Sequence, residues 1–298
     1  MNSYHISVLL HQTIEALNIK TGKQYIDGTL GGAGHTFEML KRGGIVLGID
    51  QDQDALDYVE EKFADQSDKF SIGKELILAK GNFKDIDLIA KEHAFTNVAG
   101  ILLDLGISSH HVDIAERGFS FQKEGPLDMR MDQDLQVQAS DLVNVLTKGE
   151  LYDLFTKLGE ERFARSISAS IISARKVKRI ETTTELATII RKSVPYSQKD
   201  VNPATRVFQA LRIAINDELN SLIEALPKAI TLLESGGRLS VISFHSLEDR
   251  IVKRAFLEFA EKGLGTILTK KPIIPTEEER EKNKRSRSSK LRVFEKIS

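Results

Sequence analysis

Short apolar runs alternate with segments of helical period over the first 105 residues, and aspartates stand at or beside the ends of the runs. Tyr25 to Asp27, Ile45 to Asp50, Leu76 to Lys80 and Ala99 to Leu105 read as strands, bounded by glycine or polar residues and too short for helices. Helix-compatible stretches separate the first three pairs. Strands alternating with helices predict a doubly wound α/β sheet, parallel and covered on both faces. Ahead of it, Val8-Leu-Leu10 and an amphipathic segment to Leu17 read as a cover for the core.

The alternation breaks after Ser109. Residues 110 to 135 are polar, charged and glycine-bearing, with Arg117-Gly-Phe-Ser-Phe121 and Gly125-Pro-Leu-Asp-Met-Arg-Met-Asp132. A long aperiodic stretch beside a strand end reads as a functional loop, with Phe119 and Phe121 anchoring it or stacking on a base. Helical spacing then returns through residues 140 to 193, as in Leu151, Leu154, Phe155 and Leu158. Asn202-Pro203 reads as an N-cap followed by proline at the first helical position, opening a helix that Pro227 disturbs. Gly236-Gly237 introduces a fifth strand, Arg238 to Phe244, and Ser246-Leu-Glu-Asp249 reads as the start of a helix through Phe259. Leu291 to Phe294 reads as a short edge strand. The expected division is a sheet domain of residues 1–110 plus 203–298, with an inserted loop and helical domain of residues 111–202 that recognises substrate.

The chemistry concentrates at the first strand end. Asp27 is followed by Gly28, Gly31, Gly32 and Gly34, then by a helical segment from His35. Glycines there admit positive φ angles and close approach of a ligand, and the helix start presents free N–H groups. A phosphate loop would need lysine after the last glycine, where His35 stands, and a dinucleotide fingerprint would need glycine where Phe37 stands. Asp50, at the tip of the second strand, is placed to accept hydrogen bonds from a ribose. Asp27 would repel a pyrophosphate but suits the amino group of a methionine-type cofactor, which makes S-adenosylmethionine the leading candidate. Asn82-Phe83 follows the third strand, with Phe83 read either as an adenine-stacking ring or as core under a loop.

Composition narrows the partners. The chain has 298 residues, 41% hydrophobic content and a formal net charge of -1, so bulk charge points to no polyanion. Its distribution does. Arg162, Arg165, Arg175, Lys176, Lys178 and Arg179 crowd one segment against the single acid Glu161, a surface suited to RNA phosphates, while Asp50 to Asp68 is acidic. Cysteine is absent, which excludes disulfides and thiolate chemistry and fits a cytoplasmic location. No apolar run reaches the roughly 18 residues of a membrane span. The histidines show no ligand spacing beyond the adjacent His110-His111, so no metal site is expected.

In combination these segments resemble a known family, the bacterial 16S rRNA cytidine N4-methyltransferases called RsmH or MraW. The resemblance runs through Val8-Leu-Leu10 after His5, Asp27 to His35, Gly48-Ile-Asp50, Asp104-Leu-Gly-Ile-Ser-Ser109, Arg117 to Phe121, Gly125 to Asp132, Thr205-Arg-Val-Phe-Gln-Ala-Leu-Arg212 and Ile242 to Arg250. It implies a class I S-adenosylmethionine-dependent methyltransferase sheet, Rossmann-like and interrupted by a helical domain. The implied acceptor is a cytidine of the 16S rRNA decoding centre, within the small ribosomal subunit. Cofactor contacts are implied at Ala33, Gly34, His35, Asp50, Phe83 and Asp104, and at His111, which stands where family members carry glutamine. Asp104 is also the candidate catalytic residue, with it or a nearby loop carbonyl orienting the amine that receives the methyl group. The alternatives are a methyltransferase of the same fold with another acceptor, and a non-catalytic RNA-binding assembly factor. A homodimer is compatible with all of these.

Overall fold

The computed structural model describes residues 7–64, 71–195 and 203–297. His5, Asn202 with its expected capping role, and part of the Asp50 to Asp68 acidic stretch lie outside the described residues. The chain divides into two compact units, residues 1–108 with 219–298, and residues 109–218.

The first unit is built on seven strands: β1 (Gln24–Asp27), β2 (Ile45–Asp50), β3 (Leu76–Lys80), β4 (Val98–Asp104), β5 (Leu233–Ser243), β6 (Gly265–Ile267) and β7 (Lys290–Lys296). Their order across the sheet is β3-β2-β1-β4-β5-β7-β6. Pairs among β1 to β5 are parallel, and β7 runs antiparallel to both β5 and β6. This is the class I methyltransferase sheet that the resemblance implied.

Period-two alternation explains why both faces are covered. Ile26, Leu47, Ile101 and Leu103 point into a cluster with Ile86, Ala90, Leu226 and Phe256 from the helices Ile86–Glu92, Glu218–Leu232 and Ser246–Glu261. Their neighbours Tyr25, Val46 and Leu102 join Leu17, Met39, Leu40 and Val59 from the helices Leu10–Leu17, Gly34–Lys41 and Gln53–Ala64 on the other face. Strands flanked by apolar groups on both sides read as continuous apolar runs, which is why the sequence marks them so clearly.

Four expectations need correction. The helix from Pro203 ends at Ile215, and a second helix, Glu218–Leu232, carries Pro227 inside it. The break lies earlier because Asn216 turns its amide back onto Arg212 O at 2.9 Å and Asp217 adopts a positive φ of 48°. β5 begins at Leu233 rather than Arg238, since Val98 pairs with Leu233 before a register shift carries the ladder past the glycine pair. β7 is interior, because the three-residue β6 covers its outer side. The helix after β5 is capped by His245, not Ser246: His245 Nδ1 accepts from Glu248 N at 3.4 Å, and Glu248 Oε2 accepts from His245 N at 3.2 Å and Phe244 N at 2.7 Å.

The second unit is helical, with Ala139–Val145, Lys148–Lys157, Ala164–Arg175, Thr183–Lys192 and Pro203–Ile215. Thr147 with Glu150, and Thr182 with Glu185, form reciprocal capping boxes that start two of these helices. The helix Pro203–Ile215 belongs to this unit, whereas the sequence reading joined residues from 203 to the sheet. Leu151, Phe155, Ile167, Ile171, Leu186, Val207 and Leu211 are buried here, and that shared apolar stripe places the helix. No helix among the described residues is long and apolar enough to cross a membrane.

Candidate active site

Parallel strands bring their carboxyl ends to one edge, so Asp27 on β1, Asp50 on β2 and Asp104 on β4 share it with the segment following β3. Between β1 and the helix Gly34–Lys41 the chain makes the glycine turn. Ala33 takes a left-handed φ of 57° at the helix entrance, and a Cβ on Gly34 would overlap Ser7 Oγ. The first glycine-turn helix residues therefore sit under the N-terminal segment.

Asp27 organises the turn from beneath. It is 1% exposed, accepts from Thr29 N at 3.2 Å through Oδ1, and accepts from Thr36 Oγ1 at 2.7 Å through Oδ2. Burial raises its pKa to about 6, against the lowering pull of Thr36 and Thr29. With both oxygens occupied by the turn, Asp27 acts as the turn's internal brace.

Asp50 holds the turn from the side. Oδ2 accepts from Gly31 N at 2.8 Å and Oδ1 from Asp52 N at 2.9 Å, two of the roughly four acceptor positions of a carboxylate. After β3, Asn82 accepts from Lys84 N at 2.9 Å and donates to Gln51 Oε1 at 2.9 Å. That Asx cap fixes the short turn Phe83–Asp85, and Phe83 is half-buried against the sheet core. Lys62 Nζ donates to Gly32 O at 2.9 Å, which ties the helix Gln53–Ala64 to the same turn.

Asp104 is different in kind. Its backbone N donates to Thr29 Oγ1 at 2.6 Å, so Thr29 clasps the ends of β1 and β4 together. Its Oδ2 lies 3.7 Å from His35 Nδ1, with side chains only 12% and 6% exposed. Its Oδ1 is buried and has no hydrogen-bond partner among the described residues. Burial first, then the charges of Asp27 and Glu248, raise its pKa to about 8 against a hydrogen bond from Gly106. A buried carboxyl oxygen without a hydrogen-bond partner among the described residues suits a cationic or amine-bearing ligand.

Ala33, Gly34, His35, Asp50, Phe83 and Asp104 thus gather in the first unit at one sheet edge. His111 lies in the second unit, buried, its ring tilted 31° against Phe119 at 4.8 Å between centroids. Phe119 is buried and Phe121 meets Phe208 edge-on at 5.3 Å, so both rings anchor the loop. Loop arginines do the same work. Arg117 Nη2 donates to Arg130 O and Met131 O at 3.1 and 2.9 Å, and Arg130 makes a two-pronged pair with Asp128 at 2.8 Å on each prong. Of the six clustered cations, Arg175 binds Val143 O and Leu146 O, Lys178 pairs with Glu185 and Arg179 with Asp141. Arg162, Arg165 and Lys176 are exposed on this unit's surface.

Sequence reasoning missed Thr29, Thr36 and Glu248. Thr29 and Thr36 sit at two and nine residues from Asp27, a spacing whose meaning depends on the turn's shape. Glu248 is 2% exposed, and only an acid at the third helical position hinted at its capping role.

A family model described as the MraW methylase family matches residues 2–297. A protein named ribosomal RNA small subunit methyltransferase H from Carboxydothermus hydrogenoformans is 44% identical over 315 residues, covering 100% of this chain and 99% of its own length. One of the same name from Brevibacillus brevis is 42% identical over 317 residues, with the same coverage. Among solved structures, an rRNA methylase from Streptococcus thermophilus aligns over 98% of this chain and 99% of its own at 11% identity, with a TM-score of 0.48.

Proposed function

This chain belongs to the MraW methylase family, and from that premise we propose that it methylates N4 of a cytidine in 16S rRNA, using S-adenosylmethionine as donor. The observation that carries the reading is Asp104: a buried carboxyl oxygen without a partner among the described residues, at the strand edge beside the glycine turn. Relatives at 42% and 44% identity named for small-subunit rRNA methylation support the substrate class. In the cell the reaction belongs to the cytoplasm, where the small subunit is its setting.

The donor supplies a methyl group already activated by its positive sulfur. What remains for the protein is alignment, which in well-oriented systems contributes up to about 7–11 kcal/mol. The turn at Ala33, Gly34 and His35 holds the donor's amino-acid end, Asp50 receives ribose hydroxyls, and Phe83 offers a ring edge or face to adenine. Asp104 lies nearest in character to the reaction. Ionised, its carboxylate favours the donor's cationic charge and accepts a hydrogen bond from the cytosine amine. Cytosine N4 is a weak nucleophile because its lone pair is shared with the ring, so an acceptor for its proton assists the attack. An exocyclic amine is reached only when the base is unpaired and unstacked, and the exposed Arg162, Arg165 and Lys176 provide sequence-independent contacts to phosphates.

The test uses the full chain with methyl-labelled donor and, in parallel, small subunits and naked 16S rRNA that lack the modification. Label recovered as N4-methylcytidine after digestion supports the reading. Label in another nucleoside, or in protein, overturns it.

A further inference from the structure

The two oxygens of Asp104 face different surroundings. Oδ2 looks toward His35 Nδ1 at 3.7 Å, whereas Oδ1 is the buried oxygen without a partner among the described residues. The imidazole is fixed at its far side, where Nε2 lies 3.1 Å from Val8 O. A carbonyl oxygen only accepts, so Nε2 carries the ring hydrogen and Nδ1 keeps its lone pair in the neutral ring. We infer that His35 is a positioning residue for Asp104: while the carboxyl is protonated, its Nδ1 accepts the hydrogen on Oδ2 and leaves Oδ1 turned toward the place the reacting amine takes. The inference deepens the proposed function and rests on its reading of Asp104, and it gives the His35 side chain a task separate from any contact with the donor.

The surroundings of the pair explain why this nitrogen is the acceptor. Asp104 is faced by Asp27 from β1, Glu248 from the helix Ser246–Glu261, and His35 from the helix Gly34–Lys41. Asp27 is engaged with Thr29 N and Thr36 Oγ1, and Glu248 with Phe244 N and His245 N. Those carboxylates hold their own segments, and their charges disfavour ionisation of Asp104, which supports a proton residing on it in the neutral range. At 3.7 Å the contact is longer than a hydrogen bond, and such contacts in ligand-free sites shorten when reactants fill them. When the carboxyl ionises, its Oδ2 hydrogen leaves to solvent. During transfer the amine N–H bond breaks and its proton forms an O–H bond at Oδ1, so the carboxyl becomes neutral while the His35 ring stays neutral throughout.

Nitrogen NMR of the histidine rings in the ligand-free full chain tests the tautomer directly. At pH 7 His35 is expected neutral, with hydrogen on Nε2 and a lone-pair-bearing Nδ1. A hydrogen on Nδ1, or an imidazolium at that pH, overturns the inference. Donor affinity measured against pH gives the second readout. His35→Phe removes the acceptor that favours the protonated carboxyl, so the midpoint of the affinity profile moves down by about one pH unit. His35→Gln, with a side-chain carbonyl able to accept, moves it back toward the wild-type value. An unmoved midpoint in a folded Phe variant also overturns the inference. If the Phe variant does not fold, the ring spectrum of the wild type decides. Failure of the wild type to bind donor at all would defeat the proposed function while leaving the tautomer result standing.

Discussion

Replacing Asp104 by Asn keeps the shape of the side chain and removes its ionisation. In the ligand-free protein the Asp104 pKa stands at about 8, so only about 3% of molecules carry the charge at pH 6.5 and about 90% at pH 9. A cationic donor that binds the ionised form loses about thirty-fold in affinity across that interval, close to 2 kcal/mol at 1.36 kcal/mol per tenfold. The donor's own α-amino group titrates at roughly 7.7–8.0, so the informative quantity is the ratio of wild-type to Asp104→Asn affinities at each pH. Calorimetry in buffers of different ionisation enthalpy measures both affinity and proton release. The wild type is expected to release close to one more proton than the variant at pH 6.5, and the ratio should change thirty-fold by pH 9. Parallel profiles with equal proton release would refute the reasoning. The same pKa fixes a stability trend. A carboxyl raised from 3.8 to about 8 stabilises the fold fully below pH 4, and that contribution is lost as pH rises through 8. The Asn variant should therefore gain in melting temperature over the wild type as pH goes from 4 to 9.

Other perturbations follow from single contacts. Thr36→Val deletes the 2.7 Å hydroxyl donor to the buried Asp27, which should cost about 1–3 kcal/mol in denaturant unfolding and raise the Asp27 pKa above its present value of about 6. An unchanged unfolding midpoint would remove Thr36 from the brace. Gly34→Ala places a methyl against Ser7 Oγ, so donor affinity should fall together with protection of the Val8 to Leu9 segment in hydrogen exchange; unaltered exchange there would contradict the packing. In the second unit, Asn216→Ala removes the amide that serves Met131 N and Met129 O at 2.8 and 2.9 Å. The expected loss is about 1–3 kcal/mol per hydrogen bond removed, with faster exchange of the Met131 amide.

What the sequence made legible follows from where each signal resides. β1 to β4 are apolar on alternate faces and buried on both, so their runs stand out without any tertiary knowledge. The placement of Asp50 and Asp104 at strand tips was readable because parallel strands bring their carboxyl ends to one edge. The helix break at Asn216 was hidden, since that side chain turns back on its own helix only because Met129 and Met131 come from far along the chain to meet it. β6 is three residues long and contains a glycine, so it carries no periodic signature, and without it β7 looked like an edge. The Arg117 to Asp132 stretch read as a functional loop, and nothing in the sequence said what its arginines bind. Their partners, Asp128 and backbone carbonyls of the loop, become visible only once the loop is folded.

Asp104 carries the proposed chemistry, and its most direct measurement is single-turnover methylation of unmodified small subunits by wild type and Asp104→Asn. Donor is held saturating for both at pH 8.5, and N4-methylcytidine is quantified after digestion. The predicted result is N4-methylcytidine from the wild type and a loss on the order of 10²–10⁴-fold in the variant, the range associated with a positioned proton acceptor. Equal rates of N4-methylcytidine formation would contradict the central role given to the buried Asp104 carboxyl.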